Sequence, residues 1–119
     1  MDGYCVVMTT TGTEEEAHRL AEGLVSGRLA ACVQVMPVTS TYIWQGELHR
    51  DPEWLLLIKT TAARYDDVEA FIREHHSYQV PEVVQVPIQR GLGAYLDWVG
   101  SATGKSSPDS GCGGGQRPL

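Results

Sequence analysis

The apolar positions of the chain follow two periods, which mark strands and helices. Residues 4–10 (YCVVMTT) form a short apolar run rich in β-branched side chains, and this pattern predicts a buried strand. Thr13 and Glu16 have the spacing of a capping box, and apolar residues then recur at i, i+3, i+4 and i+7. A helix that begins after Thr13 and ends at Gly27 is therefore predicted.

The centre of the sequence has the pattern of one long β-hairpin. The first strand is expected over about 31–44 and the second over about 48–59, with Gln45-Gly46 as the tight turn. Pro37 should interrupt or bulge the first strand, because proline lacks the N–H that a sheet ladder needs. Asp51-Pro52 predicts a similar irregularity in the second strand.

The second half of the sequence predicts a helix, a strand and a short terminal helix. Apolar residues repeat with helical spacing over 68–75, PEVVQVPI (81–88) has a strand pattern, and LGAYLDWVG (92–100) has a short apolar face. From residue 104 onwards Gly, Ser and Pro dominate, which predicts disorder. We therefore expect one domain over 1–103 and a disordered Gly/Ser-rich tail over 104–119.

The predicted order βαββαβ plus a terminal helix indicates an α+β, ferredoxin-like fold. Its two main helices cover one face of a four-stranded sheet, yet the strands are apolar on both faces, as in WLLLI (54–58). The second face would expose roughly 400 to 600 Å² of apolar surface. We expect a partner subunit to cover it, with residues 42–44 of the hairpin gripping the neighbour. The alternative is a monomer whose last helix folds across this face.

The composition indicates a soluble intracellular protein. A net charge of −6 argues against non-specific nucleic-acid binding, and the sequence has neither a signal-peptide pattern nor a membrane-spanning apolar stretch. Cys5, Cys32 and Cys112 are odd in number and form no C-x-x-C pair, which is typical of reduced thiols. We expect a cytoplasmic location, an inert Cys32 inside its strand and an exposed Cys112 thiol in the tail.

No motif indicates catalysis. The sequence has no G-x-S-x-G, P-loop or G-x-G-x-x-G pattern, and the GCGGG run follows no strand and opens no helix. The paired acids Asp66 and Asp67 fit the first turn of a helix, where they complement its dipole. We therefore expect a protein that is not an enzyme and binds no organic cofactor.

Several segments together resemble the CutA divalent-cation tolerance proteins. Residues 27–48 (GRLAACVQVMPVTSTYIWQGEL) are similar to that family's R-L-A-A-C-V strand and its Tyr/Trp-rich hairpin, and residues 75–88 (HHSYQVPEVVQVPI) to its H-P-Y-x-x-P-E motif. The segments 55–61 (LLLIKTT) and 95–99 (YLDWV) resemble its third strand and terminal helix. The similarity spans about residues 4–101 in the family's order.

The resemblance implies a homotrimer of ferredoxin-like subunits with the sheets facing inward, assembled similarly to the PII signal-transduction proteins. It also implies a role in divalent-cation tolerance, notably towards copper. Two positions depart from the family pattern. Ser77 stands where the family usually has proline, and Thr9 stands where some members have a cysteine that could bind copper.

The adjacent histidines raise the question of a metal site. Neighbouring residues of a helix or strand point in different directions, so His75 and His76 cannot chelate one ion as a local pair. His75 continues an apolar stripe and is expected to be a packed core or interface residue. His76 occupies the family's motif position, and Glu82 could add a carboxylate nearby. Imidazole with carboxylate favours Cu²⁺, with a threefold assembly supplying further copies. The alternative is a packing motif with Tyr78 buried and hydrogen-bonded.

Three functional hypotheses follow from these observations. The first is a cytoplasmic homotrimer for divalent-cation tolerance that binds Cu²⁺ or a similar ion weakly through His76 and Glu82. The second is a PII-like signalling or scaffold trimer that binds a small molecule or a partner protein in clefts between subunits. The third is a mainly structural trimer that tethers another protein, whose identity the sequence leaves open.

Overall fold

The structure is a computed structural model that describes residues 3–104. In chain order its elements are β1 (Tyr4–Thr11), α1 (Glu14–Ser26), β2 (Cys32–Trp44), β3 (Glu47–Thr61), a short 3-10 helix (Ala62–Arg64), α2 (Tyr65–His75), β4 (Val84–Ile88) and α3 (Gly93–Ala102). The tail predicted over 104–119 lies outside the described residues, apart from Gly104. Within residues 3–104, no helix has both the length and the apolar composition needed to cross a membrane.

The four strands form one antiparallel sheet in the order β2-β3-β1-β4. This order, with α1 and α2 packed on one face, confirms the predicted ferredoxin-like α+β fold. The apolar core lies between that face and the two helices. It contains Cys5 and Val7 of β1, Leu56 and Ile58 of β3, Ala17, Leu20 and Leu24 of α1, Ala30 of the loop after α1, and Val68 and Ile72 of α2.

Helix α1 begins where the sequence predicts, but one half of the predicted capping box is absent. The hydroxyl of Thr13 accepts a hydrogen bond from the backbone N–H of Glu16 at 3.2 Å, as an N-cap residue should. The Glu16 carboxylate does not complete the box. Both of its oxygens accept hydrogen bonds from Ser77, 61 residues further along the chain.

The hairpin of β2 and β3 has a continuous register from Cys32–Lys59 to Trp44–Glu47. The turn residues Gln45 and Gly46 have φ angles of 52° and 82°, which confirms the predicted tight turn. The prediction that Pro37 breaks its strand is wrong. Pro37 pairs with Trp54 in unbroken register, because β2 is an edge strand and its outward-facing positions need no N–H donor.

The predicted irregularity at Asp51-Pro52 is also absent for a related reason. Pro52 pairs with Thr39 in the same continuous register, whereas β1 pairs with β3 only over residues 54–61. Pro52 therefore lies where β3 has a neighbour on one side only, and an N–H donor is dispensable there.

Residues 38–53 of the hairpin extend past the rest of the sheet, and we call this segment the arm. Its two strands pair with each other, and it makes the molecule 52 Å long against 27 and 24 Å in the other directions. The arm tip is apolar and exposed: Ile43 and Leu48 are each 71% accessible and Trp44 is 60% accessible.

The sheet face opposite α1 and α2 is apolar, as the sequence predicts, and we call it the open face. Val84 and Val86 of β4 lie beside Met8 and Val6 of β1 on this face, and both valines are almost half exposed. Met36 of β2 is likewise exposed there, next to Leu55 of β3. The face therefore keeps accessible apolar side chains within the single chain.

Helix α3 packs against β1 and β3 at one end of the open face. It has no basic residue in its last turn, and two arginines from other elements bind its terminal carbonyls instead. Arg28 donates to the carbonyls of Gly104 and Ser101, and Arg64 donates to that of Thr103. These bonds fix α3 at its end of the sheet, and Met36, Val84 and Val86 of the open face stay exposed beside it.

Candidate functional site around His76

The site begins where α2 ends. The chain leaves the helix at His76, whose backbone is extended (φ −87°, ψ 145°) and whose N–H still donates to the carbonyl of Ile72 at 2.9 Å. The next residues pass close to the end of β1 and the first turn of α1. Residues 76–78, which we call the 76–78 segment, thus contact β1, α1 and the arm.

The imidazole of His76 is fully buried, and both of its nitrogens are hydrogen-bonded. Nδ1 accepts from the backbone N–H of Tyr78 at 3.0 Å, and Nε2 lies 2.7 Å from the carbonyl oxygen of Thr10. Because Nδ1 accepts, the ring proton must be on Nε2, which donates to Thr10. The ring is therefore a neutral imidazole held between β1 and the loop that follows α2.

Ser77 is bound by the carboxylate of Glu16. The backbone N–H of Ser77 donates to Oε2 of Glu16 at 2.8 Å, and its hydroxyl donates to Oε1 at 3.0 Å. Glu16 is nearly buried in the first turn of α1, where the helix dipole favours a negative charge. Its Oε2 also lies 3.5 Å from Nδ1 of His76. Ser77 therefore supplies two donors to a buried carboxylate.

Tyr78 joins this cluster to the arm. Its hydroxyl donates to Oε2 of Glu53 at 2.7 Å, and Oε1 of Glu53 accepts from the hydroxyl of Ser40 at 2.7 Å. Burial, followed by the hydrogen bond to Glu53 and the nearby negative charges, raises the pKa of Tyr78 well above its ordinary value. The Tyr78 hydroxyl therefore remains protonated and acts as a hydrogen-bond donor.

Gly12 makes room for the tyrosine. A Cβ atom added at Gly12 would lie 3.0 Å from the Tyr78 hydroxyl, which is tighter than ordinary packing. The Tyr78 ring also lies 4.8 Å from the His76 ring, centroid to centroid. Tyr78 is thus hydrogen-bonded, as the packing alternative predicts, although 38% of the residue is exposed in the single chain.

The arrangement does not form a metal site within the described residues of one chain. A metal ion on His76 would have to displace either the Thr10 carbonyl or the Tyr78 N–H from the ring. Glu82 is exposed and makes no hydrogen bond to the described residues. Within residues 3–104, no three His, Cys, Asp or Glu residues form a group that could hold a metal ion. The assignment of His76 and Glu82 as ligands stays a prediction.

His75 and the cysteines have simpler surroundings. His75 is exposed and stacks on Phe71 with ring centroids 4.2 Å apart, so its predicted place in the core is wrong for the single chain. Its predicted place in an interface stays a prediction.

Cys32 is buried, as predicted, and burial raises the pKa of the Cys5 thiol, which keeps that thiol protonated.

Sequence reasoning missed the two carboxylates that complete this cluster. Glu16 carries a helix-start pattern and Glu53 lies in a strand, and neither has a local signal of a partner in the 76–78 segment. The only indication in the sequence is the departure at Ser77, since serine offers the N–H and hydroxyl that a proline lacks.

The family model for the CutA1 divalent ion tolerance protein matches residues 5–102. The chain belongs to this family. It is 46% identical over 100 residues to the divalent-cation tolerance protein CutA of Thermus thermophilus, a match that covers 83% of this chain and 97% of the relative. It is 44% identical over 92 residues to the CutA homolog of Xenopus laevis, a match that covers 76% of this chain but only 61% of that longer protein.

Solved structures of the CutA family share the fold. The periplasmic divalent cation tolerance protein CutA of Archaeoglobus fulgidus superposes with a TM-score of 0.83 at 32% identity, over 85% of this chain and 99% of that one. CutA1 of Oryza sativa superposes with a TM-score of 0.84 at 38% identity, over 87% and 96%. Both TM-scores support the assignment of the ferredoxin-like fold.

Proposed function

We propose that this protein acts in divalent-cation tolerance as a homotrimer. The observation that carries the proposal is the family match over residues 5–102, together with relatives that are named for divalent-cation tolerance. The physical support for an assembly is the open face, which keeps accessible apolar side chains that a single chain leaves in contact with water. The exposed apolar tip of the arm is suited to the same partner.

Within this proposal Cu²⁺ is the ion to test first, with His76 and Glu82 as the residues that contact it. Imidazole and carboxylate suit Cu²⁺ among the common divalent ions. Because the described arrangement lacks a complete ligand set, the proposal requires donors from neighbouring subunits and a His76 ring that gives up one of its bonds. Such binding would be weak. A non-enzymatic role and a cytoplasmic location remain predictions and form part of the same proposal.

Calorimetric titration of Cu²⁺ and Zn²⁺ tests the metal assignment. We expect weak Cu²⁺ binding by the wild type and an affinity at least about tenfold lower in His76→Ala and Glu82→Gln. Glu82→Gln is the safer variant, because its side chain is exposed and contributes no hydrogen bond to the fold. His18→Ala serves as the matched control, since His18 is an exposed histidine beside Glu14 on α1.

The titrations distinguish Cu²⁺ binding at His76 and Glu82 from binding at other surface groups. Loss of affinity in both site variants but not in His18→Ala would support the assignment. Equal binding by the wild type, His76→Ala and Glu82→Gln would overturn it and would place any bound copper on other surface groups.

A further inference from the structure

Within residues 3–104, the one side-chain hydrogen bond that joins the arm to the rest of the protein comes from Tyr78 of the 76–78 segment. The arm's backbone pairs only within itself, because β1 reaches no further along β3 than Trp54. Three side-chain hydrogen bonds in residues 3–104 involve the arm. Two lie inside it, Ser40–Glu53 and Tyr42–Asp51, and the third joins Tyr78 to Glu53.

We propose that Tyr78 is a positioning residue that fixes the direction of the arm relative to the body, and that His76 and Glu16 act by holding Tyr78 in place. His76 binds the backbone N–H of Tyr78 and is itself anchored to β1 through the carbonyl of Thr10. Glu16 binds the preceding residue from α1. The tyrosine hydroxyl then reaches Glu53 at the base of the arm.

The geometry at the base of the arm favours this role. A hydroxyl that donates to a carboxylate makes one of the stronger hydrogen bonds in proteins, and this one is 2.7 Å long. Ser40 binds the second oxygen of Glu53 and so fixes the carboxylate within the arm. Gly12 leaves the space that the tyrosine ring needs. Both ends of the link are therefore held from two sides.

A small change in the tilt of the arm at its base produces a large displacement of its tip. The arm contains seven residue pairs, from Val38–Glu53 to Trp44–Glu47. At ~3.4 Å per residue it is about 23 Å long, so a tilt of about 10° would move its tip by about 4 Å. The tip carries the exposed side chains of Ile43, Trp44 and Leu48. Their fit to a second copy, which rests on the proposed homotrimer, would depend on the Tyr78–Glu53 bond.

The link to Tyr78 also explains why both nitrogens of the His76 ring are hydrogen-bonded. In the described arrangement the ring has no free lone pair, and its two bonds serve to join β1 to the backbone of Tyr78. Through these bonds His76 acts on the arm by way of Tyr78, and an ion bound to the ring would have to break one of them.

Peptide-resolved hydrogen exchange on the whole protein tests the link in both directions. Tyr78→Phe removes the hydroxyl and keeps the ring, and we expect amide exchange at the base of the arm (residues 38–40, 51 and 53) to become about tenfold faster. Reciprocally, Glu53→Ala should accelerate exchange in residues 76–80 by a similar factor. Glu53→Gln should restore most of the protection there, because its amide oxygen can still accept from Tyr78.

Tyr42→Phe is the matched control, because it deletes a tyrosine–carboxylate bond of the same length that lies wholly inside the arm. We expect this variant to leave residues 76–80 unchanged. The proposal is overturned if Tyr78→Phe changes exchange at the arm base by less than about threefold, or if Glu53→Ala leaves residues 76–80 as in the wild type. The exchange pattern is measurable in any assembly state, so a failure of the homotrimer proposal would be seen separately in the molecular mass.

Discussion

Thr9 carries the one buried side-chain oxygen in the described part of the chain that has no hydrogen-bond partner. It is fully buried at the end of β1, on the same face as the core residues Cys5 and Val7. Two positions along, Thr11 is equally buried, but its hydroxyl donates to the carbonyl of Thr13 at 2.7 Å. Thr9 and Thr11 are therefore two buried threonines of the same strand, and they differ in whether the hydroxyl has a hydrogen-bond partner.

Replacing these two threonines by valine should have opposite effects on stability. We expect Thr9→Val to leave the free energy of unfolding unchanged or raise it by up to ~1 kcal/mol, because the unpaired hydroxyl costs its desolvation. Thr11→Val should lower it by ~1 kcal/mol, because the hydrogen bond to the Thr13 carbonyl is lost. Urea denaturation of both variants measures the difference. A larger loss in Thr9→Val than in Thr11→Val would show that the Thr9 hydroxyl has a partner.

Individual residues also show how far local sequence signals reach. The Thr13 cap and the turn at Gln45-Gly46 could be predicted because each depends on neighbours within a few positions. The partners of His76 and Glu16 could not, because Thr10 and Ser77 lie 66 and 61 residues away from them in the chain. A capping-box pattern fits Glu16 equally well whether its carboxylate faces Thr13 or Ser77.

At the scale of elements, the loop between α2 and β4 owes its shape to side chains that bind other elements. Its first residue, His76, has extended backbone, and β4 itself begins only at Val84, later than the sequence pattern indicates. A proline at position 77, which the resemblance in sequence leads us to expect, would fix this turn by its ring. In this chain the two donors of Ser77 to Glu16 have that role.

Introducing the family's proline should therefore destabilise this particular chain. The backbone of His76 is compatible with a following proline, and the substitution removes both donors of Ser77. Ser77→Pro leaves the nearly buried Glu16 carboxylate without either bond, and we expect a loss of ~2–3 kcal/mol in the free energy of unfolding. Ser77→Ala keeps the N–H bond and should lose only ~1 kcal/mol.

Thermal and urea unfolding of the two Ser77 variants measure this difference. The double variant Glu16→Gln with Ser77→Pro is informative as well, because removing the charge should recover part of the loss. If Ser77→Pro were as stable as the wild type, the hydrogen bonds to Glu16 would contribute nothing to the loop.

The strands show where the sequence was sufficient and where it was not. Their order along the chain and the apolar character of both faces could be predicted, because these depend on composition and periodicity. The effect of Pro37 and Pro52 could not, because it depends on whether a strand position has a neighbour on both sides. That property belongs to the sheet as a whole and is absent from the local pattern.

At the scale of the whole molecule, the open face and the arm are the features that a single chain leaves incomplete. Val84, Val86 and Met36 are accessible on the open face, and α3 packs against only one end of it. The arm presents three further large apolar side chains at its tip. We therefore expect a partner copy to cover these surfaces.

The mass of the protein in solution tests whether a partner copy is bound. It can be measured by sedimentation or light scattering of the wild type, Val86→Asp and Val80→Asp. We expect the wild type at about three times the chain mass of 13.0 kDa. Val86→Asp, which places a charge on the open face, should lower the mass, whereas Val80→Asp, at a loop position that is 86% exposed, should not. A wild-type mass of 13.0 kDa, or an unchanged assembly in Val86→Asp, would contradict the account.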